Sequence, residues 1–366
     1  MKKVFDAHVH HRFEMPIEEA VRIFKLEFPV TGTEKQAFMS IPSDVSPEGQ
    51  FYLDEMQNMR MLFLKYAFSP NAYAFSGLEH PLNVAEMDSE YLSKEYLRQA
   101  EEYASVGYDG MKMLEGYPSM RKAMKRTLCD KVYDRYYSFL EENQIPVTMH
   151  VANPETFWNV EDIDEYSKRM GRVCDESYPT KMQLHEEVDG IMKKHPKLRL
   201  ALAHFGFMSY DIEQAKRWLD EYEHTMFDLT PGGEQLLNMQ KNWSEWERFF
   251  VDYQDRIIFG SDYYAFPQDE NWEENFLRRP KFLREFFETD SDHEYVGRPF
   301  RGVNLNEKIL QKIYWDNAMG WFGEPKKIDF AYMKKKTEEL LQKSNKRAKF
   351  ANEDLRYILE NIREKK

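Results

Sequence analysis

The chain has 366 residues, a formal net charge of −13, 42% hydrophobic and 15% aromatic content, and two cysteines. Such a length admits two ordinary domains or one large α/β barrel, and the acidic balance argues against nucleic acid or an anionic membrane as a partner. Cys129 and Cys174 alone support neither a disulfide framework nor a thiolate zinc cage.

Lys2 and Lys3 are followed by no apolar signal region, and no apolar run reaches the roughly 18 residues of a membrane span. A cytoplasmic chain is therefore expected. The first element is a short strand, Val4–His11, with the sequence VFDAHVHH. Residues two apart on a strand share a face, so His8 and His10 look one way while Val9 and His11 look the other. Two imidazoles at a strand end make half a metal site; taken alone, the pair fits two surface histidines as well.

A helix is expected over Ile17–Glu27, then a weak apolar patch at Ala37–Ile41, a turn-rich segment after Pro42, and a helix from about Leu53 to Tyr66. Strand–helix alternation then takes over. Tyr73–His80 is a strand, and Ser89–Ser105 an amphipathic helix stopped by Gly107. Strand Tyr108–Leu114, helix Lys122–Asn143 and the β-branched strand Ile145–Val151 follow. After a long loop come helix Lys181–Lys194 and Leu198–Phe205, an almost wholly apolar run with the pattern of a strand buried on both faces. The series continues with helix Ile212–Tyr222, strand Thr225–Thr230, helix Glu234–Val251, strand Arg256–Asp262 and helix Asn306–Phe322. Counting Val4–His10 and the weak patch, this makes eight strand candidates. Their alternation with helices, and the lack of a glycine-rich phosphate loop after the first, predict a (β/α)8 TIM barrel rather than a Rossmann sheet.

The barrel is assigned to residues 1–325, with insertions at about 12–72, 152–180 and 263–303. Two of these follow strand C-termini, where barrel enzymes keep their active sites, so they are candidate substrate walls. Residues 326–366 are richer in basic residues and form a charged helical C-terminal extension, with Asn352 as candidate N-cap of its last helix. It is a candidate packed appendage or homodimer contact.

Polar residues collect at the strand ends. His150 closes one strand, His204 closes LRLALAHF, Asp262 closes RIIFGSD, and Lys112 sits near the end of YDGMKML. Any one of these has a structural explanation, but buried imidazoles and carboxylates are costly unless paired or coordinated. Together with His8 and His10 they point to one shared metal or catalytic site.

DAHVH, LALAHFG, IIFGSDYYAFP and the helix motif DNAMGWFG resemble the amidohydrolase superfamily. Within it they are similar to the amidohydrolase-related branch that includes aminocarboxymuconate semialdehyde decarboxylase. The resemblance implies one divalent metal, usually zinc, with manganese the alternative, held by His8, His10, His150 and Asp262. It implies His204 as a ligand or as the base that activates a metal-bound water, with Asp262 moving the proton. Lys112 is then a carbamylated bridge between two metals or, as preferred here, a cationic substrate contact or a buried ion-pair partner. His80, Trp158, Arg298 and Arg301 are further substrate-binding candidates, the arginines either as carboxylate clamps or as surface ion pairs. Phe207 replaces a usual glycine and is expected to narrow the mouth.

The expected function is a metal-dependent hydrolase or decarboxylase acting on a small, carboxylated, cyclic or aromatic-derived molecule. A TatD-type nuclease also begins with DxHxH, but GYDGMKML and the charge of −13 fit it poorly. A catalytically inactive barrel that only binds a ligand is the third reading, and the complete set of candidate ligands speaks against it.

Overall fold

A computed structural model describes residues 2–11, 15–46, 48–230, 234–265, 272–343 and 350–362. Nine parallel strands form one sheet: β1 Val4–His11, β2 Thr33–Met39, β3 Ala72–Gly77, β4 Gly110–Gly116, β5 Val147–Val151, β6 Leu200–Leu202, β7 Thr225–Asp228, β8 Ile257–Ile258 and β9 Tyr263–Ala265. Their order is β8-β7-β6-β5-β4-β3-β2-β1-β9. The two ends of that order are pieces of one interrupted strand. Ile257 and Ile258 pair with Phe227 and Asp228, Ala7 N–H donates to the Phe259 carbonyl, and Val9 pairs with Tyr263. The sheet therefore closes into the (β/α)8 barrel.

Several elements differ from expectation in ways that shape the site. The patch at Ala37–Ile41 is the late part of β2, which starts at Thr33 because Gly32, at φ 73°, ends the first helix there. Residues 15–72 are thus not an insertion: they hold the crossover helix Ile17–Thr31, β2, a small hairpin (Ser43–Val45 with Phe51–Leu53) and helix Gln57–Ala67. The expected helix Lys122–Asn143 is broken by Lys125 at φ 53°, leaving Pro118–Met124 and Asp134–Glu142. In the extension, helices Phe330–Lys343 and Ala351–Asn361 pack on the barrel; Asn352 lies inside the second, whose N-cap is Phe350.

Three strands end in left-handed backbone where non-glycine residues are strained. After β6, His204, Phe205, Gly206 and Phe207 all have φ between 53° and 57°. Ala152 after β5 has φ 61° and Asp262 has φ 49°. These turns, not continued strand, place the side chains at the C-terminal mouth. A one-residue bulge in β1, between Asp6 and Val9, acts similarly. It lets Phe5 and Ala7 join the apolar interior with Met39, Phe75, Ala201 and Ile258, while His8 also faces inward to meet Asp228.

No helix among the described residues is long and apolar enough to cross a membrane.

Candidate active site

Three acceptor side chains converge at the mouth. His8 Nδ1 donates to Asp228 Oδ2 at 2.5 Å, and His10 Nδ1 donates to the Met39 carbonyl at 2.7 Å. A carbonyl can only accept, and burial pushes both histidines well below the ordinary imidazole range, helped by Lys112 at His8 and by His8 at His10. Both rings are therefore neutral, His10 with its lone pair on Nε2 and His8 likewise when Asp228 is ionised, and the two Nε2 atoms stand 2.9 Å apart. Asp262 Oδ1 lies 3.5 Å from His10 Nε2 and 4.0 Å from His8 Nε2, is buried, and has no hydrogen-bond donor among the described residues. Burial acts to raise the Asp262 carboxyl, but Arg279, His10, His8 and Lys112 together hold it below the usual carboxylate range.

Two lone pairs and a carboxylate oxygen facing one another at these distances repel unless positive charge sits among them. Lys112 Nζ, 3.0 Å from His8 Nε2, meets one of the three, which leaves His10 Nε2 and Asp262 Oδ1 to a cation. Donors about 2.0–2.2 Å from a zinc-sized ion stand roughly 3–3.5 Å apart, which the observed separations bracket. His8, His10 and Asp262, all buried, form the one group of described residues with this character. The outward donations to Asp228 and Met39 are the second-shell bonds that fix tautomer and ring orientation in metal sites.

The other expected residues lie around this group. Lys112 Nζ is 3.0 Å from His8 Nε2; burial pushes it down to about 8 against the pull of Asp262, Asp228 and Glu115. The His204 ring is 5.9 Å from that of His8 and 4.7 Å from that of His150. Its Nδ1 donates to the Thr230 carbonyl at 3.2 Å, and burial, then Lys112 and Arg279, push it down to about 3. His150 does not join the three converging acceptors: its Nε2 donates to the Ala152 carbonyl at 3.0 Å, because the chain doubles back through left-handed Ala152. Phe207 lies against both rings, at 5.0 Å from His204 and 5.5 Å from His150.

Three expected substrate contacts are engaged elsewhere, and a fourth is exposed. His80 is fully buried between the Tyr96 hydroxyl at 2.8 Å and Glu115 at 2.7 Å, so both ring nitrogens are occupied. Trp158 Nε1 donates to the Pro179 carbonyl and ties its own loop together. Arg301 pairs with Asp290 and Asp292 on an exposed hairpin, Asp292–Tyr295 with Arg298–Arg301, and Arg298 is exposed on the same hairpin. Two residues that sequence reasoning did not single out are in contact with the group. Asp228 closes the apolar run TMFD of β7, the same strand-end signal that marks His204 and Asp262. Arg279 donates through Nη1 to Asp262 Oδ2 at 2.9 Å, and nothing distinguishes it in sequence from the other arginines of its loop.

A family model described as amidohydrolase matches residues 80–323. No curated protein matches the chain. Among solved structures the chain is similar to an uncharacterized TIM-barrel protein from Bordetella bronchiseptica, with 15% identity and TM-score 0.55 over 87% of this chain and 98% of that one. It is also similar to 4-oxalomesaconate hydratase from Rhodopseudomonas palustris (14% identity, TM-score 0.52, 87% and 95% covered) and to Metarhizium anisopliae IDCase (13%, 0.50, 87% and 97%). At these identities the likeness is one of fold.

Proposed function

The chain belongs to the amidohydrolase family, and on that premise we propose a metal-dependent enzyme that hydrolyses or decarboxylates a small carboxylated, cyclic or aromatic-derived molecule. The observation that carries this reading is the convergence of His8 Nε2, His10 Nε2 and the undonated Asp262 Oδ1, with Asp228 and Met39 fixing both imidazoles.

His8, His10 and Asp262 would hold a divalent cation, and nitrogen and carboxylate donors suit zinc or manganese. His150 has only Nδ1 left to offer it. When bound, the cation supplies Lewis acidity, polarising a substrate oxygen and making water a usable nucleophile near neutral pH. The protein supplies the remainder. His204, neutral and anchored through Nδ1, takes a proton at Nε2, and its ring is held by Thr230 from below and Phe207 from the side. Asp262, kept ionised by Arg279, is the second proton acceptor. Lys112 places a positive charge beside His8, where an anionic substrate oxygen would be attracted. Phe207 and Tyr264 give the mouth aromatic walls, which suits a flat ring and excludes water.

The test is metal content and turnover together. Protein stripped with chelator and reloaded with zinc or manganese should take up about one equivalent and release carbon dioxide from, or hydrolyse, members of a panel of aromatic carboxylates and lactones. Uptake well below one equivalent under all conditions would refute the site.

A further inference from the structure

Arg279 comes from helix Trp272–Glu288, which follows β9, and reaches back to the cluster. One of its nitrogens, Nη1, donates both to Asp262 Oδ2 and to the Asp262 carbonyl. The other edge of the guanidinium, Nε with Nη2, meets no acceptor among the described residues. Arg279 is the most exposed member of the cluster: its side chain keeps 27% of its exposure, against 0% for His8, 2% for His10 and 11% for Asp262. Tyr264 braces it. The Tyr264 ring stacks on His10 at 4.7 Å, and the guanidinium lies 5.9 Å from the same ring. Other arginines after β9 are differently engaged, Arg284 on Glu288 and two backbone carbonyls, and Arg301 on Asp290 and Asp292.

We propose that the Nε/Nη2 edge of Arg279 binds the substrate's carboxylate while Nη1 keeps Asp262 in place, so that Arg279 sets the preference for carboxylate anions over neutral analogues. The proposal rests on the reading of the site as one for a carboxylated substrate. A guanidinium is suited to both tasks because its planar fork makes two parallel bonds to a carboxylate on one edge and leaves a donor on the other. Lysine, a single point of charge, can serve Asp262 or the substrate but not both.

The probes are benzoate and benzamide, which share a ring and differ in charge, titrated calorimetrically into wild type, Arg279→Met and Arg279→Lys. Each protein is used both manganese-loaded and chelator-stripped, and each variant is checked by thermal melting. The expected result is that wild type binds benzoate at least tenfold tighter than benzamide in both metal states. Both variants should lose at least tenfold in benzoate affinity and keep their benzamide affinity. Retained benzoate binding in either variant overturns the proposal, as does an equal loss for the two probes, which would mark Arg279 as a structural latch on Asp262. Benzoate binding that vanishes on stripping and ignores position 279 also overturns it, leaving the metal site standing. A protein that takes up no metal yet binds benzoate through Arg279 separates the two: the metal-enzyme reading fails and this one holds.

Discussion

Replacing Asp228 with asparagine turns one carboxylate oxygen into an amide nitrogen at a place where both oxygens accept. Oδ2 takes the His8 Nδ1–H at 2.5 Å and Oδ1 takes the Thr230 N–H at 2.9 Å. The amide must set a donor against a donor at one of those ends. Turned towards His8, it favours the tautomer protonated on Nε2 and removes the lone pair that faces His10 and Asp262. Turned towards Thr230, it leaves a buried backbone N–H without an acceptor. A hydrogen bond to a charged group contributes about 1.5–3 kcal/mol, and about 1.4 kcal/mol is tenfold in a binding constant. Both agree with the 10–100-fold typical of losing an outer-shell partner of a ligating histidine. Asp228→Asn is therefore expected to bind zinc or manganese roughly 10–100-fold more weakly. Without metal its melting temperature should change little, because burial already pushes the Asp228 carboxyl up to about 7 and the neutral amide resembles its protonated form. Chelator competition at pH 8, where the carboxylate is ionised, measures the affinity. A value within about twofold of wild type would refute the argument that Asp228 orients His8 for a cation.

Gly260→Ala tests the same contact from the other side. A Cβ there would stand 2.8 Å from Thr230 Cγ2 and 2.9 Å from His8 Cβ, and against Asp228 Oδ1, so metal affinity should fall at least tenfold by the same competition assay. Asp354→Ala strips one carboxylate from Arg60, which is fully buried and held by Asp54 and Asp354 at 2.7 Å each. Breaking a buried pair costs about 3–5 kcal/mol, so urea unfolding should show a loss of that order, and a loss below about 1 kcal/mol would contradict a docked terminal helix. Burial pushes Glu27 up to about 9 from its ordinary 4.5. The folded protein then keeps a proton that the unfolded chain releases, and wild-type stability is eroded as pH rises from about 4.5 to about 9. Glu27→Gln lacks that loss, so its stability relative to wild type should climb across this window, and parallel profiles would disprove it.

How much was legible depended on whether a residue's role is visible from its own strand. His8, His10 and Asp262 are polar side chains at the ends of apolar strands, and barrel topology gathers such ends at one mouth. Asp228 carries the same mark, yet its role appears only through a partner 220 residues earlier in the chain. The barrel was legible from alternation, whereas β2 was shifted because its start is set by the glycine that ends the preceding helix. The strand-end turns were not legible at all. Continued strand was expected through His204, but its backbone amide is taken by Thr230 Oγ1 at 2.8 Å, a long-range bond that stabilises a left-handed turn no local preference favours. Arg298 and Arg301 were singled out over Arg279 because nothing in a loop sequence tells that Arg301 pairs with Asp290 and Asp292 while Arg279 reaches Asp262.

The first helix of the barrel begins with an uncapped Pro16, and its Ile17 N–H donates to Asp354 Oδ1 at 2.8 Å, across 337 residues. On the ribosome these partners emerge far apart in time. At roughly 5–20 residues per second, the capping carboxylate follows the helix by about 17–67 s. Until then the helix that connects β1 to β2 has no side-chain cap, and Arg60 has only Asp54. The metal-facing histidines of β1 are made before the segment that fastens the helix behind them, with 337 residues between that helix and its capping carboxylate. A chain truncated before Asp354 would thus carry its complete set of candidate ligands on a loosened first βα unit.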